Sequence, residues 1–320
     1  MKFNIVIVTW NRVNLLKKLI SNLKDFKEFS LCELIIVING EDKKSSEFLE
    51  TSQIKNLEFF QISSTTPASA RNEALKKCRE EFILFLDDDL TLPGNYFIKA
   101  FDIIYNYPNV VIFGGPDKMR PTAKDNERCF SYALETPFTT GPTVFRHITR
   151  KGKAFPGKAN NLILCNLWVK KEIAQKKFNP HYKRNEETHF LKENRIHAEN
   201  ILHVPDLYVY HKRKSEIREI MRTYFISGIY RLKTSIELPI IEEIFFYFPL
   251  FLFLFSLCFG IWQVFVIYLS LSFLWFLIIQ KGSKKIHLYP KIFFIQCLIL
   301  GSYYLGVLNF PFRKKTLDFS

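Results

Sequence analysis

Three consecutive carboxylates, Asp87-Asp88-Asp89, close the five-residue apolar run Phe82-Ile83-Leu84-Phe85-Leu86. That run has the length of a buried strand, so the carboxylates sit at its C-terminal edge, where uncompensated negative charge is costly. Oxygen-rich clusters suit Mg2+ or Mn2+, and a metal held by one or two protein carboxylates takes its remaining ligands from phosphates and water. Alternate residues of extended chain point the same way, so Asp87 and Asp89 form one pair and Asp88 faces elsewhere. A solvated acidic turn is the plain alternative, and the strand ahead of the triplet favours the metal. His211 follows the apolar segment 207–210 and precedes a basic run, which lets it approach the same edge. His181, His189, His197 and His203 have no comparable setting.

The elements that position these residues are legible as periodicity. Residues 3–9 form a β-branched run of strand length, followed by Leu15, Leu16, Leu19, Ile20 and Leu23 at helical spacing. The alternation continues with a strand at 33–38, a helix near 45–51, a strand at 57–62, a helix at 67–79 and a strand at 82–86. Strands alternating with helices, in short apolar runs, predict a mostly parallel sheet covered on both faces. Such sheets bind ligands beyond the C-terminal ends of their strands. Further on, the pattern predicts a helix at 96–105, a strand at 110–113, loops around a cleft over 117–160, helices at 170–177 and 186–194, and a strand at 207–211.

Composition divides the 320 residues into two kinds: 48% are hydrophobic and 24% charged, and the apolar surplus, including many of the 33 Phe, lies towards the C-terminus. Residues 240–279 carry almost no charge, about twice what one membrane-spanning helix needs. Two spans, 240–259 and 261–279, fit this stretch, and a third candidate covers 288–310. Lys212, Arg213, Lys214, Arg218, Arg222, Arg231 and Lys233 precede the first span, and Lys281, Lys284 and Lys285 follow the second, which places both clusters in the cytoplasm. Arg313, Lys314 and Lys315 conflict with a third crossing and favour an interfacial segment there. The six cysteines form no CxxC pair, and the apolar N-terminal run is too short for a secretory signal. The net charge of +14 suits an anionic membrane surface. Nucleic acid is disfavoured, because no helix-turn-helix, RNP-like or zinc module accompanies the charge.

The segment SARNEALKKCREEFILFLDDDLTLP, residues 69–93, resembles the stretch leading into the DXD motif of family 2 inverting glycosyltransferases, which have the GT-A fold. IVIVTWNR at 5–12, the Gly-Gly-Pro turn at 114–116 and NEETHF at 185–190 fall in the order that family requires. The resemblance covers residues 3–235 and implies a nucleotide-sugar donor, a divalent cation and inversion at the anomeric carbon. It implies that Thr9, Asn11 and Arg12 line the nucleotide pocket and that Arg71 and Asn72 lie near the nucleotide or its phosphates, with Asn39, Asp87 and Asp88 also on the donor. Asp89, Asp87 and His211 become the metal ligands. Glu186 and Glu187 align with an acidic pair in which the second acid serves as base, so Glu187 is the first choice and Glu186 the second. An N-terminal acidic turn stabilising a helix dipole is the alternative for that pair. One departure stands out: where the family often has Asp after its second strand, this chain has Asn39-Gly40, which leaves the donor base open. Gly114, Gly115, Asn160 and Asn161 resemble acceptor-side loops.

The expected fold class is therefore α/β: a GT-A nucleotide-sugar-binding domain over 1–211, a basic juxtamembrane segment over 212–239, membrane helices over 240–310 and a basic tail over 311–320. The expected activity is metal-dependent sugar transfer from a nucleotide sugar to a hydroxyl of a lipid-linked or cell-surface glycan, with Mn2+ or Mg2+. The catalytic domain would face the cytoplasm from a multi-pass position in the inner membrane. Lack of a QxxRW-like motif after the base disfavours processive synthesis. Two other readings remain: a non-catalytic nucleotide-sugar-binding membrane protein of glycan assembly, and a metal-dependent nucleotidyltransferase.

Overall fold

A computed structural model describes residues 1–194, 198–239, 241–260, 262–279 and 286–317; His197 and the expected charges Lys281, Lys284 and Lys285 lie outside them. The N-terminal run forms β1 (Phe3–Thr9), followed by α1 (Val13–Lys24), β2 (Cys32–Asn39), α2 (Lys43–Glu50) and β3 (Leu57–Ile62). Next come α3 (Pro67–Leu75), β4 (Phe82–Asp87), the two-residue β5 (Leu90–Thr91) and α4 (Tyr96–Asn106). β6 (Ile112–Gly114), β7 (Asp117–Met119), α5 (Asp125–Leu134), α6 (Pro137–Thr140) and β8 (Phe155–Pro156) follow. Then come β9 (Asn166–Lys170), α7 (Lys171–Ala174), α8 (Glu186–Glu193), β10 (Ile201–His203) and β11 (Val209–His211). The described chain ends with α9 (Ile217–Glu237), α10 (Phe248–Phe259), α11 (Trp262–Ile279) and α12 (Tyr289–Leu317).

Two compact units divide the chain: residues 1–118 with 148–212, and residues 119–147 with 213–320. The first holds an eight-stranded sheet in the order β3-β2-β1-β4-β9-β6-β10-β8. Its N-terminal half, β3-β2-β1-β4, is parallel, as near-continuous apolar strands buried on both faces require. Its other half is mixed, because β9 runs antiparallel to both β4 and β6. The expected mostly parallel sheet thus holds only on one side. The sequence pattern announces neither β9 nor β10, and the expected helix at 170–177 is reduced to the four residues of α7. One face of the sheet packs Phe3, Phe97, Phe113 and Trp168, with the Phe113 and Trp168 rings stacked at 5.5 Å.

The second unit corrects the expectation of loops over 117–160. Residues 125–134 form a helix whose Cys129, Phe130, Ala133 and Leu134 are buried with Ile220, Phe276, Ile292, Ile295 and Ile299. Its start is fixed by the Glu127 carboxylate, which accepts the Lys124 backbone N–H at 3.0 Å. Charge inside the short turn sequence hid this helical spacing.

The expected membrane spans are redistributed. Pro249 in the first turn of α10 and Gly260, capping it at φ +64°, bound a helix of only 12 residues. At about 1.5 Å per residue it is well short of the roughly 30 Å hydrocarbon core. Residues 241–246, expected inside the first span, form a 3-10 turn. Among the described residues one helix is long and apolar enough to cross a membrane, and it lies at Ile286–Phe310, the segment that reads as the weakest of the three candidates. The basic run is likewise not all on display: in α9, Arg231 and Lys233 are buried, and the Arg231 guanidinium lies 4.2 Å from the Phe246 ring centroid.

Candidate active site

Sheet register brings the site together. Val8 pairs with Asp87, so the end of β1 meets the end of β4, and Thr9 and Arg12 reach the acidic triplet from the neighbouring strand. Asp88 turns towards them: Thr9 Oγ1 donates to its Oδ2 at 2.7 Å, and Arg12 lies 3.0 Å from its Oδ1. Burial raises the Asp88 carboxyl to about 6, against the opposing pull of the Thr9 hydrogen bond and the Arg12 charge. Arg12 also reaches Asp89 at 3.4 Å.

Asp87 and Asp89 point elsewhere. Asp87 accepts from Arg71 at 3.1 Å, and the other arm of the same guanidinium meets Glu186 at 3.0 Å. Arg71 is buried on α3, whose start is set by Pro67 and by the Thr66 side chain accepting from Ser69 N–H. A planar two-armed donor is the residue type that such bridging needs. The His211 ring lies on the other side, Nε2 3.1 Å from Asp89 Oδ1 and Nδ1 2.9 Å from Asp117 Oδ2. Burial pulls the imidazole down, but the Asp89 charge and the hydrogen bonds to Asp117 and Asp89 outweigh it and raise it well above its usual value. His211 arrives there because it pairs with Leu90 across the short β11–β5 ladder.

Asp87, Asp89 and His211 each offer an atom, all within 4.8 Å of one another. Two hard carboxylates and one imidazole fit Mn2+ or Mg2+, and the imidazole tilts the set towards Mn2+.

Glu186 and Glu187 open α8, both buried. Burial raises the Glu186 carboxyl, opposed by Arg71 and reinforced by Glu187. The segment before α8 is held from α3: Asn72 donates to Phe178 O at 2.7 Å and accepts from Phe178 N at 2.8 Å, and Thr66 donates to Pro180 O. Asn72 therefore spends its amide on the backbone ahead of the acidic pair. Asn39 is similarly engaged with both backbone groups of Thr65, at 2.9 Å each. Asn11 takes a left-handed turn, φ +52°, and its N–H donates to Asp42 at 2.7 Å.

Several site neighbours had no sequence signal. Asp42 follows Asn39 by three positions, where no strand alternation reaches, and both caps α2 and grips the β1 turn. Asp117 and Cys165 flank His211 and, with it, also offer atoms within 4.8 Å of one another. Cys165 comes from the start of the unforeseen antiparallel β9, and Asp117 follows Gly115, whose missing side chain admits the Leu207 carbonyl at 1.9 Å from where a Cβ would stand. Trp10 stands exposed at the end of β1, beside Gly40 at the end of β2.

Residues 4–160 match Glycosyl transferase family 2. Solved structures agree on the fold. S. aureus TarS 1–349 superposes at TM-score 0.53 with 17% identity over 98% of this chain and 92% of its own, and one of its structures holds UDP-GlcNAc, at 16% identity. The mannosyltransferase PcManGT from Pyrobaculum calidifontis, in complex with GDP-Man and Mn2+, superposes at TM-score 0.59 with 10% identity, over 98% of this chain and 88% of that one. No curated protein sequence matches the chain significantly. The family 2 match over residues 4–160 and these neighbours agree on a GT-A-like α/β fold.

Proposed function

We propose that the protein is an inverting, metal-dependent, non-processive glycosyltransferase that moves a sugar from a nucleotide sugar to a hydroxyl of a lipid-linked or cell-surface glycan. The observation that carries this reading is the convergence of Asp87, Asp89 and His211 on one point, joined through Arg71 to the acidic pair on α8. The UDP-GlcNAc and GDP-Man with Mn2+ held by the two neighbours supply donors of the chemistry this site fits.

Asp87, Asp89 and His211 would hold a divalent cation, which would supply charge neutralisation for a departing diphosphate. The chain's own residues do the rest. Thr9, Asn11 and Arg12 border the donor at the end of β1, and exposed Trp10 offers a flat apolar face for a nucleobase. Arg71 fixes Glu186, and Glu187, buried beside it at the start of α8, takes the proton from the acceptor hydroxyl. The apolar C-terminal helices and the exposed Lys212, Arg218 and Arg222 support association with an anionic membrane surface.

Mn2+ binding followed by electron paramagnetic resonance, with a nucleoside diphosphate present, tests the metal site without relying on turnover. Asp89→Ala and His211→Ala are each expected to weaken Mn2+ by at least about tenfold, since changes one shell further out already cost that much. Unchanged affinity in both would remove the metal from this site.

A further inference from the structure

α11 has two unlike faces. On one, Trp275 Nε1 donates to Glu135 O at 2.8 Å, Tyr268 donates to Phe138 O, and Ser272 bonds Gln296 of α12. On the other, Ile267, Leu271, Leu274 and Ile278 recur at helical spacing and are each about half exposed or more. α10 repeats the arrangement, with Phe248, Phe251, Phe255 and Phe259 exposed along one stripe. Residues 244–279 contain no Asp, Glu, Lys or Arg. Protein-facing patches carry a polar rim, so an unbroken uncharged surface of this length is a lipid-facing one.

The helix behind α11 decides how it meets lipid. α5 packs its buried side on Phe276 and α12, yet it also carries Asp125 and Arg128, whose side chains are 68% and 36% exposed. Were α11 to cross a bilayer, α5 would be carried in with it, Glu135 at the level of Trp275, where an ionised side chain is costly. α12 is tied down in the same way. Gly228 and Gly306 let it approach α9 so closely that a Cβ on either would stand 2.0 Å from a carbonyl oxygen of the other helix. α9 carries Arg218, Glu219 and Arg222 on exposed positions. The whole 119–147 and 213–320 unit holds 17 Lys and Arg against 9 Asp and Glu.

We propose that this unit docks in the plane of one anionic leaflet, with the exposed stripes of α10 and α11 immersed and neither helix crossing the bilayer. The inference rests on the membrane association proposed above and specifies its form. An in-plane helix needs only an apolar stripe, which matches the 12 residues of α10 better than a span does.

Cys258, exposed on α10, provides the test. The full chain carrying Cys297→Ser is labelled with NBD at Cys258 and added to preformed vesicles of phosphatidylcholine with phosphatidylglycerol. The expected result is flotation with the vesicles, blue-shifted NBD fluorescence, and rapid bleaching of that fluorescence by external dithionite. NBD protected from dithionite until detergent is added would show a crossing helix and overturn in-plane docking while leaving membrane association intact. Flotation with NBD still in water would also overturn it, and so would failure to float, which removes the membrane reading altogether; a dimer in place of flotation would assign the face to a second copy. In the unlabelled chain, Leu271→Asp lowers vesicle partitioning by about tenfold or more with an unchanged far-ultraviolet spectrum.

Discussion

At the scale of single residues, the period of extended chain sets Asp88 apart from Asp87 and Asp89, although β4 ends at Asp87 and the other two lie in the turn before β5. Asp88 meets Thr9 and Arg12, Asp87 meets Arg71, and Asp89 meets His211 with Arg12 also 3.4 Å away. Their partners were less legible, because Asp117, Cys165 and Asp42 enter through antiparallel pairing and a helix cap that no local pattern announces. A buried imidazole outside the site gives a measurable consequence. Burial, with Arg150 nearby, lowers His203 to about 4 from 6.5, against the pull of a backbone hydrogen bond at Asn161. Its folded value is therefore below its unfolded one, so the unfolded chain binds the extra proton first as pH falls. Stability is expected to drop between pH 6.5 and about 4, by about 3 kcal/mol at most. In denaturant melts across that range, His203→Gln should show a flatter pH dependence than the wild type; parallel curves would mean that His203 does not titrate this way.

At the scale of elements, strands and helices of the parallel half followed from apolar runs and turn residues, because a strand buried on both faces announces itself. The other half did not. β9 and β10 are short, bounded by residues that read as helix or loop, and gain their pairing only from neighbours distant in sequence. The 12-residue α10 was hidden by hydropathy, which counts apolar residues but not the effect of Pro249 on where a helix begins. Packing of α9 on α12 depends on two small residues, and a side chain at either has nowhere to go. Gly306→Leu is expected to destabilise the protein by about 3 kcal/mol through overpacking, whereas Gly301→Ala, where nothing lies within 4 Å of an added Cβ, should be close to neutral. Thermal melts of both variants check the pair, and equal effects would contradict the assigned contact.

At the scale of the whole molecule, an α/β unit carries the acidic triplet and the Glu186–Glu187 pair, and a separate helical unit carries the exposed apolar stripes. Fold similarity to TarS and PcManGT extends over 98% of the chain at 17% and 10% identity, so the architecture is what they share. On the proposed reading a base on α8 acts on an acceptor while carboxylates at the end of β4 hold the donor. Nucleoside diphosphate release from a panel of nucleotide sugars, with Mn2+ and a lipid-linked glycan acceptor, tests it most directly. The wild type is expected to release nucleoside diphosphate from at least one donor, and Glu187→Gln to lower kcat by about 10²–10⁴-fold with donor affinity unchanged. Release of pyrophosphate instead, or full turnover by Glu187→Gln, would contradict the account.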